Sequence, residues 1–140
     1  MRKFDYGFVY WIWREKISNI YNFENIECWQ QARELVIDIY KKTLQGNLSK
    51  DFGLRDQMRK SVVSIISNIA EGKERETPAE LIRFLFFAKG SAGELRAQLI
   101  IAKDISYIKD NEFSMLIKKI EKLSFMIGAL IRSIRQRESN

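Results

Sequence analysis

The stretch 52–72 constrains the fold most. Leu54, Met58, Val62, Ile65 and Ile69 recur at steps of four and three residues, which places them on one helical face. The β-branched run Val62, Val63, Ile65, Ile66 would also suit a strand, but the length and the four-residue spacing select a helix over 54–71. Polar residues Ser61, Ser64, Ser67, Asn68 and Glu71 lie inside or beside this apolar run. Each must bond within a helix seam or face a cavity. Gly72 stands where a terminating helix favours a left-handed residue.

Three further helices follow from the same periodicity. The first covers 26–44, with Asn25 as N-cap and Trp29, Ala32, Val36 and Tyr40 in one stripe beside Cys28, Leu35 and Ile39. Gly46, Asn47 and Ser49 mark the loop after it. The third helix has the clearest start, since Thr77-Pro78-Ala79-Glu80 is a capping box with proline at the first helical position. It runs to about Ile105, a rod of roughly 40 Å, with Leu81, Leu85, Ala88, Ala92, Leu95, Leu99 and Ala102 on one face. One face cannot hide the consecutive large residues 84–87, so burial on two sides and a subunit contact are expected. The small residues Ala88, Gly90, Ser91, Ala92 and Gly93 would let two helices approach closely. Those glycines match no phosphate-loop spacing. The fourth helix covers 110–135, capped by Asp110, with Phe113, Leu116, Ile120, Leu123, Ile127, Leu130, Ile131 and Ile134 inward.

Four long amphipathic helices with short connections predict an all-α, antiparallel up-down-up-down four-helix bundle over 23–137. Residues 1–22 form a separate arm, in which Phe4, Tyr6, Phe8 and Tyr10 alternate at period two ahead of Trp11 and Trp13. Arg2 and Lys3 resemble the start of a leader. Asp5 interrupts the apolar run, however, which is too short to span a bilayer and lacks a small-residue cleavage site. No membrane association is expected. The arm is read as docking on its own or a neighbouring subunit.

Composition removes much chemistry. The 140 residues contain no histidine and a single cysteine, Cys28. Ser-His and Cys-His nucleophile pairs, cysteine metal clusters and internal disulfides are therefore excluded. A reducing cytoplasm, no metal, no cofactor and no enzymatic activity are the expectations. Glu71, Glu80 and Glu94 have no spacing that singles out an acid–base pair. The formal net charge of +6 favours an anionic partner, nucleic acid ahead of a membrane surface. It also serves solubility.

Opposite the inward face of the fourth helix lie Lys118, Lys122 and Arg132, with Phe125 and Ala129 between them and Arg135 at one shoulder. A basic stripe with an embedded aromatic is the best nucleic-acid candidate, although a solvated charged face is the commoner meaning of such spacing. Arg55, Arg59 and Lys60 add to the basic surface. Phe84, Phe86, Phe87 and Phe125 are the expected subunit contacts. Two functions compete: a non-enzymatic oligomer that binds RNA or DNA backbone, and a scaffold that presents its surfaces to a protein client.

Several blocks together resemble a known family. They are Phe23-Glu24-Asn25-Ile26-Glu27-Cys28-Trp29-Gln30-Gln31-Ala32, then Phe52-Gly53-Leu54, then Ser64-Ile65-Ile66-Ser67-Asn68-Ile69-Ala70-Glu71-Gly72 with Arg75. Phe84-Leu85, Ala88-Lys89-Gly90-Ser91 and Glu94-Leu95 complete the pattern. It is similar to the four-helix-bundle proteins encoded in intervening sequences of bacterial 23S ribosomal RNA genes. Related to these is the accessory variability protein of diversity-generating retroelements. The resemblance implies a ring-like homopentamer without known catalysis. For the retroelement relatives it implies binding to nucleic acid and to a reverse transcriptase. Two departures stand out: Ile66 occupies a position where the family usually has proline, and the aromatic arm is extra. Asn68 and Glu71, one turn apart, are expected to satisfy loop or helix-end amides.

Overall fold

The computed structural model describes residues 23–140 and, ahead of them, Gly7. The aromatic arm expected at 1–22 lies outside the described residues. Four helices follow in order: α1 (Phe23–Thr43), α2 (Phe52–Lys73), α3 (Pro78–Asp104) and α4 (Asp110–Ser139). One 3-10 turn, Gly46–Ser49, joins α1 to α2. No strand occurs among the described residues.

The helix starts show which local signals operate. Thr77 Oγ1 accepts a hydrogen bond from the Glu80 backbone N–H at 3.2 Å, as the capping box predicts. Asp51 Oδ1 does the same for the Leu54 N–H at 3.1 Å, so α2 begins at Phe52, before the expected start. Two expected caps are corrected. Helix α1 already begins at Phe23, which puts Asn25 inside it. Lys109, not Asp110, occupies the α4 cap position and makes no side-chain cap bond. Asp110 is the first helical residue, where its carboxylate, with that of Glu112, complements the positive end of the helix dipole. α2 runs unbroken through Ile66.

The expected inward faces form one core. Met58, Val62, Ile65 and Ile69 of α2 pack with Leu85, Leu95 and Leu99 of α3 and Ile120, Leu123 and Ile127 of α4, all buried. Cys28, Ala32, Leu35 and Ile39 complete it from α1. Each fully buried aliphatic side chain contributes about 1.5–3 kcal/mol relative to exposure. Tyr40 departs from its expected stripe and is 41% exposed, lying under the Arg59 guanidinium at 4.8 Å. Neighbouring helices run antiparallel, as the register of their contacts shows. Ser64 meets Ser91 while Gly72 meets Leu81 and Phe84 between α2 and α3. Lys103 lies over Phe113, Arg96 pairs with Glu121, and Arg135 lies over Phe86 between α3 and α4. Asp38 pairs with Lys119 and Lys42 with Glu112 between α1 and α4. Both α2 and α4 pack on α1 and on α3, which sets α2 and α4 at opposite corners.

Gly72 works differently from the expectation. It is helical and buried, and its φ is not in the left-handed region. A Cβ there would lie 3.0 Å from Leu81 Cδ1 and from Phe84 Cβ, and 3.3 Å from the Leu81 carbonyl oxygen. The glycine is needed for interhelical distance, not for helix termination. The left-handed stop occurs instead at Ser106, with φ 64°. Ser106 N–H donates to the Lys103 carbonyl at 2.9 Å and Tyr107 N–H to the Ala102 carbonyl at 2.8 Å. This is the Schellman pattern with serine where glycine is cheapest.

Two stability measurements test these assignments. Gly72→Val should lower the free energy of unfolding by about 2 kcal/mol, because overpacking against a fixed backbone outweighs any gain in helix stiffness. Ser106→Gly should raise it by about 1 kcal/mol by removing the left-handed penalty. Urea titration of each variant reads both signs.

Candidate nucleic-acid interface

The apolar residues of α4 fix its rotation. With Leu116, Ile120, Leu123, Ile127 and Ile131 inward, Lys118, Lys122, Phe125 and Arg132 face out. Toward α1 the cations of this region are neutralised: Lys119 pairs with Asp38 at 2.5 Å, and Lys42 with Glu112. On the α3 side Arg96 pairs with Glu121 at 3.3 Å. Lys118, Lys122, Arg132 and Arg135 form no ion pair among the described residues. Arg132 lies over the Phe125 ring at 5.9 Å and Arg135 over Phe86 at 5.4 Å.

The structure adds Lys89 of α3, which the sequence reading passed over. Gly128 is buried at the α3–α4 contact, and a Cβ built there would sit 3.4 Å from Lys89 Nζ and 3.5 Å from Arg132 Nη1. Two cations from different helices thus converge over one bare piece of backbone. Only the tertiary pairing of α3 with α4 reveals this, since no local spacing links Lys89 to Arg132.

The α2 cations do not join this face. Arg59 Nε donates to Thr43 Oγ1 at 2.8 Å, and that buried hydroxyl donates to the Ile39 carbonyl at 2.8 Å. Arg55 is held by Asp56, the Ser49 carbonyl and the Phe52 ring. Lys60 is exposed, on the corner away from α4. The role expected of Asn68 and Glu71 is also corrected. Asn68 Nδ2 donates to the Ser64 carbonyl at 2.8 Å and to Ser64 Oγ at 3.0 Å, and Ser64 reaches Ser91 of α3 at 2.8 Å. Glu71 pairs with Arg75 at 2.6 Å. Asn68 thus bonds along and across a helix seam and Glu71 makes an exposed ion pair, neither to loop or helix-end amides.

The residues 84–87 split between environments. Leu85 is fully buried. Phe84 is half-buried, edge-on to Phe87 at 5.5 Å and beneath Arg75 at 4.7 Å. Phe86 and Phe87 are each 45% exposed on α3. Beyond them the outward face continues through Gly90, Gly93, Ala97 and Ile101, all exposed. No atom lies within 4 Å of a Cβ built at Gly90 or Gly93. Phe125, 71% exposed, projects from α4 and not from this strip.

A concavity of about 810 Å³ lies at the bundle end, lined by Lys42, Asn47, Lys103, Tyr107, Lys109 and Glu112 among others. Burial, and then the nearby Lys109 charge, push the Lys42 ammonium below its usual pKa. Lys42 pairs with Glu112 there, while Lys103 and Lys109 form no ion pair among the described residues. Among the described residues no cluster of three His, Cys, Asp or Glu side chains is placed to hold a metal. No helix of the described residues is long and apolar enough to cross a membrane.

Comparison with known proteins bears on the fold. A crystal structure of a protein of unknown function from the S23 ribosomal protein family of Bacteroides thetaiotaomicron superposes with a TM-score of 0.73 at 20% identity. The superposition covers 78% of this chain and 98% of that one, and at this identity it shows a shared fold. No curated protein matches the chain. The model of the 23S rRNA-intervening sequence protein family matches residues 24–129, and the chain belongs to that family.

Proposed function

We propose that this chain is a non-enzymatic, oligomeric nucleic-acid-binding protein that grips the phosphate backbone with the outer face of α4. The observation that carries the reading is the uneven neutralisation of its cations. Lys119, which faces α1, is paired with Asp38, whereas Lys118, Lys122, Arg132 and Arg135 have no carboxylate partner among the described residues. Such a face gathers polyanion counterions and releases them on binding. The contacts are to backbone charge, so sequence preference is weak.

Self-association supports the same reading, because repeated copies multiply the face. Each mid-helix glycine costs about 1 kcal/mol relative to alanine. Gly90 and Gly93 incur that cost with nothing of their own chain nearby. A second copy seated on α3 over Phe86, Gly90, Gly93 and Ile101 would make use of the clearance.

Titration of labelled RNA at about 50 mM and about 200 mM salt should give a log–log slope of about 3 to 4 per subunit, if all four cations neutralise phosphates. Absence of binding at the lower salt would falsify the reading. Light scattering should give a mass several times 16.6 kDa, and Phe86→Glu should reduce it to that value with helicity retained. A native particle of 16.6 kDa would end the self-association proposal.

A further inference from the structure

We propose that Phe125 and the cations around Gly128 form a platform selective for single-stranded nucleic acid, with one base stacked on the ring. Phosphates on either side are held by Lys89, Arg132 and Lys118. This deepens the reading above and rests on it.

The placement of Phe125 and of the cations around it carries the inference. Phe125 is 71% exposed, the most open of the large exposed aromatics on the described helices, and it shares its face with Lys118, Lys122 and Arg132, while the carboxylate of Glu121, one turn back, is paired with Arg96. Its neighbours one turn onward are Gly128 and Ala129, so from that direction only the Arg132 side chain reaches the ring. Lys118 and Arg132 bracket it at seven residues either way, about 10 Å along the helix axis. Lys89 and Arg132 converge over Gly128 without a carboxylate between them. Arg132 already lies over the Phe125 ring at 5.9 Å, a cation–π contact that keeps a guanidinium beside the ring for the phosphate next to a stacked base.

The physical consequence is selectivity. A duplex keeps its bases stacked on one another and presents only backbone and groove edges, so it engages the cations alone. A single strand offers free base faces as well, and stacking on an aromatic ring strengthens binding whatever the base. Loss of the ring therefore affects one class of ligand, while loss of a cation affects both.

The test uses the full chain, an unstructured labelled RNA oligonucleotide and a duplex of equal length, with binding read by fluorescence anisotropy. Phe125→Ala should weaken single-strand binding by about 5- to 150-fold and change duplex binding by less than about 2-fold. Phe125→Trp should restore or improve single-strand binding. Lys89→Ala and Arg132→Ala should weaken both probes. Phe125 is exposed, so the variants should retain the parent melting temperature, checked by circular dichroism. Equal loss on both probes in Phe125→Ala, or no loss on either, overturns the stacking platform and leaves backbone binding standing. If the unaltered protein binds neither probe, the parent reading fails and the platform with it.

Discussion

The close approach of α2 and α3 sets the rest of the structure. Gly72 lets Leu81 and Phe84 come within 3.0 Å of the point a methyl group would occupy. Just over two turns away, Ser64 and Ser91 join the same two helices by a polar bond at 2.8 Å, backed by Asn68. Apolar packing alone leaves helices free to rotate and slide by small amounts. A bare contact at one end and a directional bond nearer the middle fix both register and rotation. With α3 so fixed, its flank carrying Lys89 and Arg96 is turned to α4, and its glycine strip is left outward.

That rotation divides the molecular surface by chemistry. The seam between α1 and α4 is closed by carboxylate–ammonium pairs. The outer face of α4 is cationic and the outer face of α3 is apolar and bare. Exposed ion pairs add little to stability, about 0–1 kcal/mol each. Their effect here is on charge distribution, since they remove positive potential from one side of the bundle and leave it on another. A net charge of +6 thus becomes a directional property.

Much of this was legible from the chain. The inward faces of all four helices follow from the apolar period, and the α3 start follows from Thr77 and Glu80. The outward positions of Lys118, Lys122 and Arg132 follow from the same period in reverse. What was not legible depends on contacts between helices. Gly72 reads locally as a terminator, because nothing in the sequence states that Leu81 and Phe84 will lie against it. Arg59 reads as surface charge until Thr43 is seen to be buried and in need of a donor. Lys89 has no local sign of its meeting with Arg132. Nothing local marks Asp51 as the α2 cap, because Gly53 weakens the helical pattern just where its cap applies.

Asp51 also reaches further than a cap. One carboxylate oxygen holds the first turn of α2, and the other receives the Tyr107 hydroxyl from the reversal after α3 at 3.2 Å. Two junctions far apart in sequence are thereby fastened by one side chain at the same extremity of the molecule. Fraying of either would loosen its counterpart, which makes that extremity a single cooperative unit in which the segments either hold or open jointly.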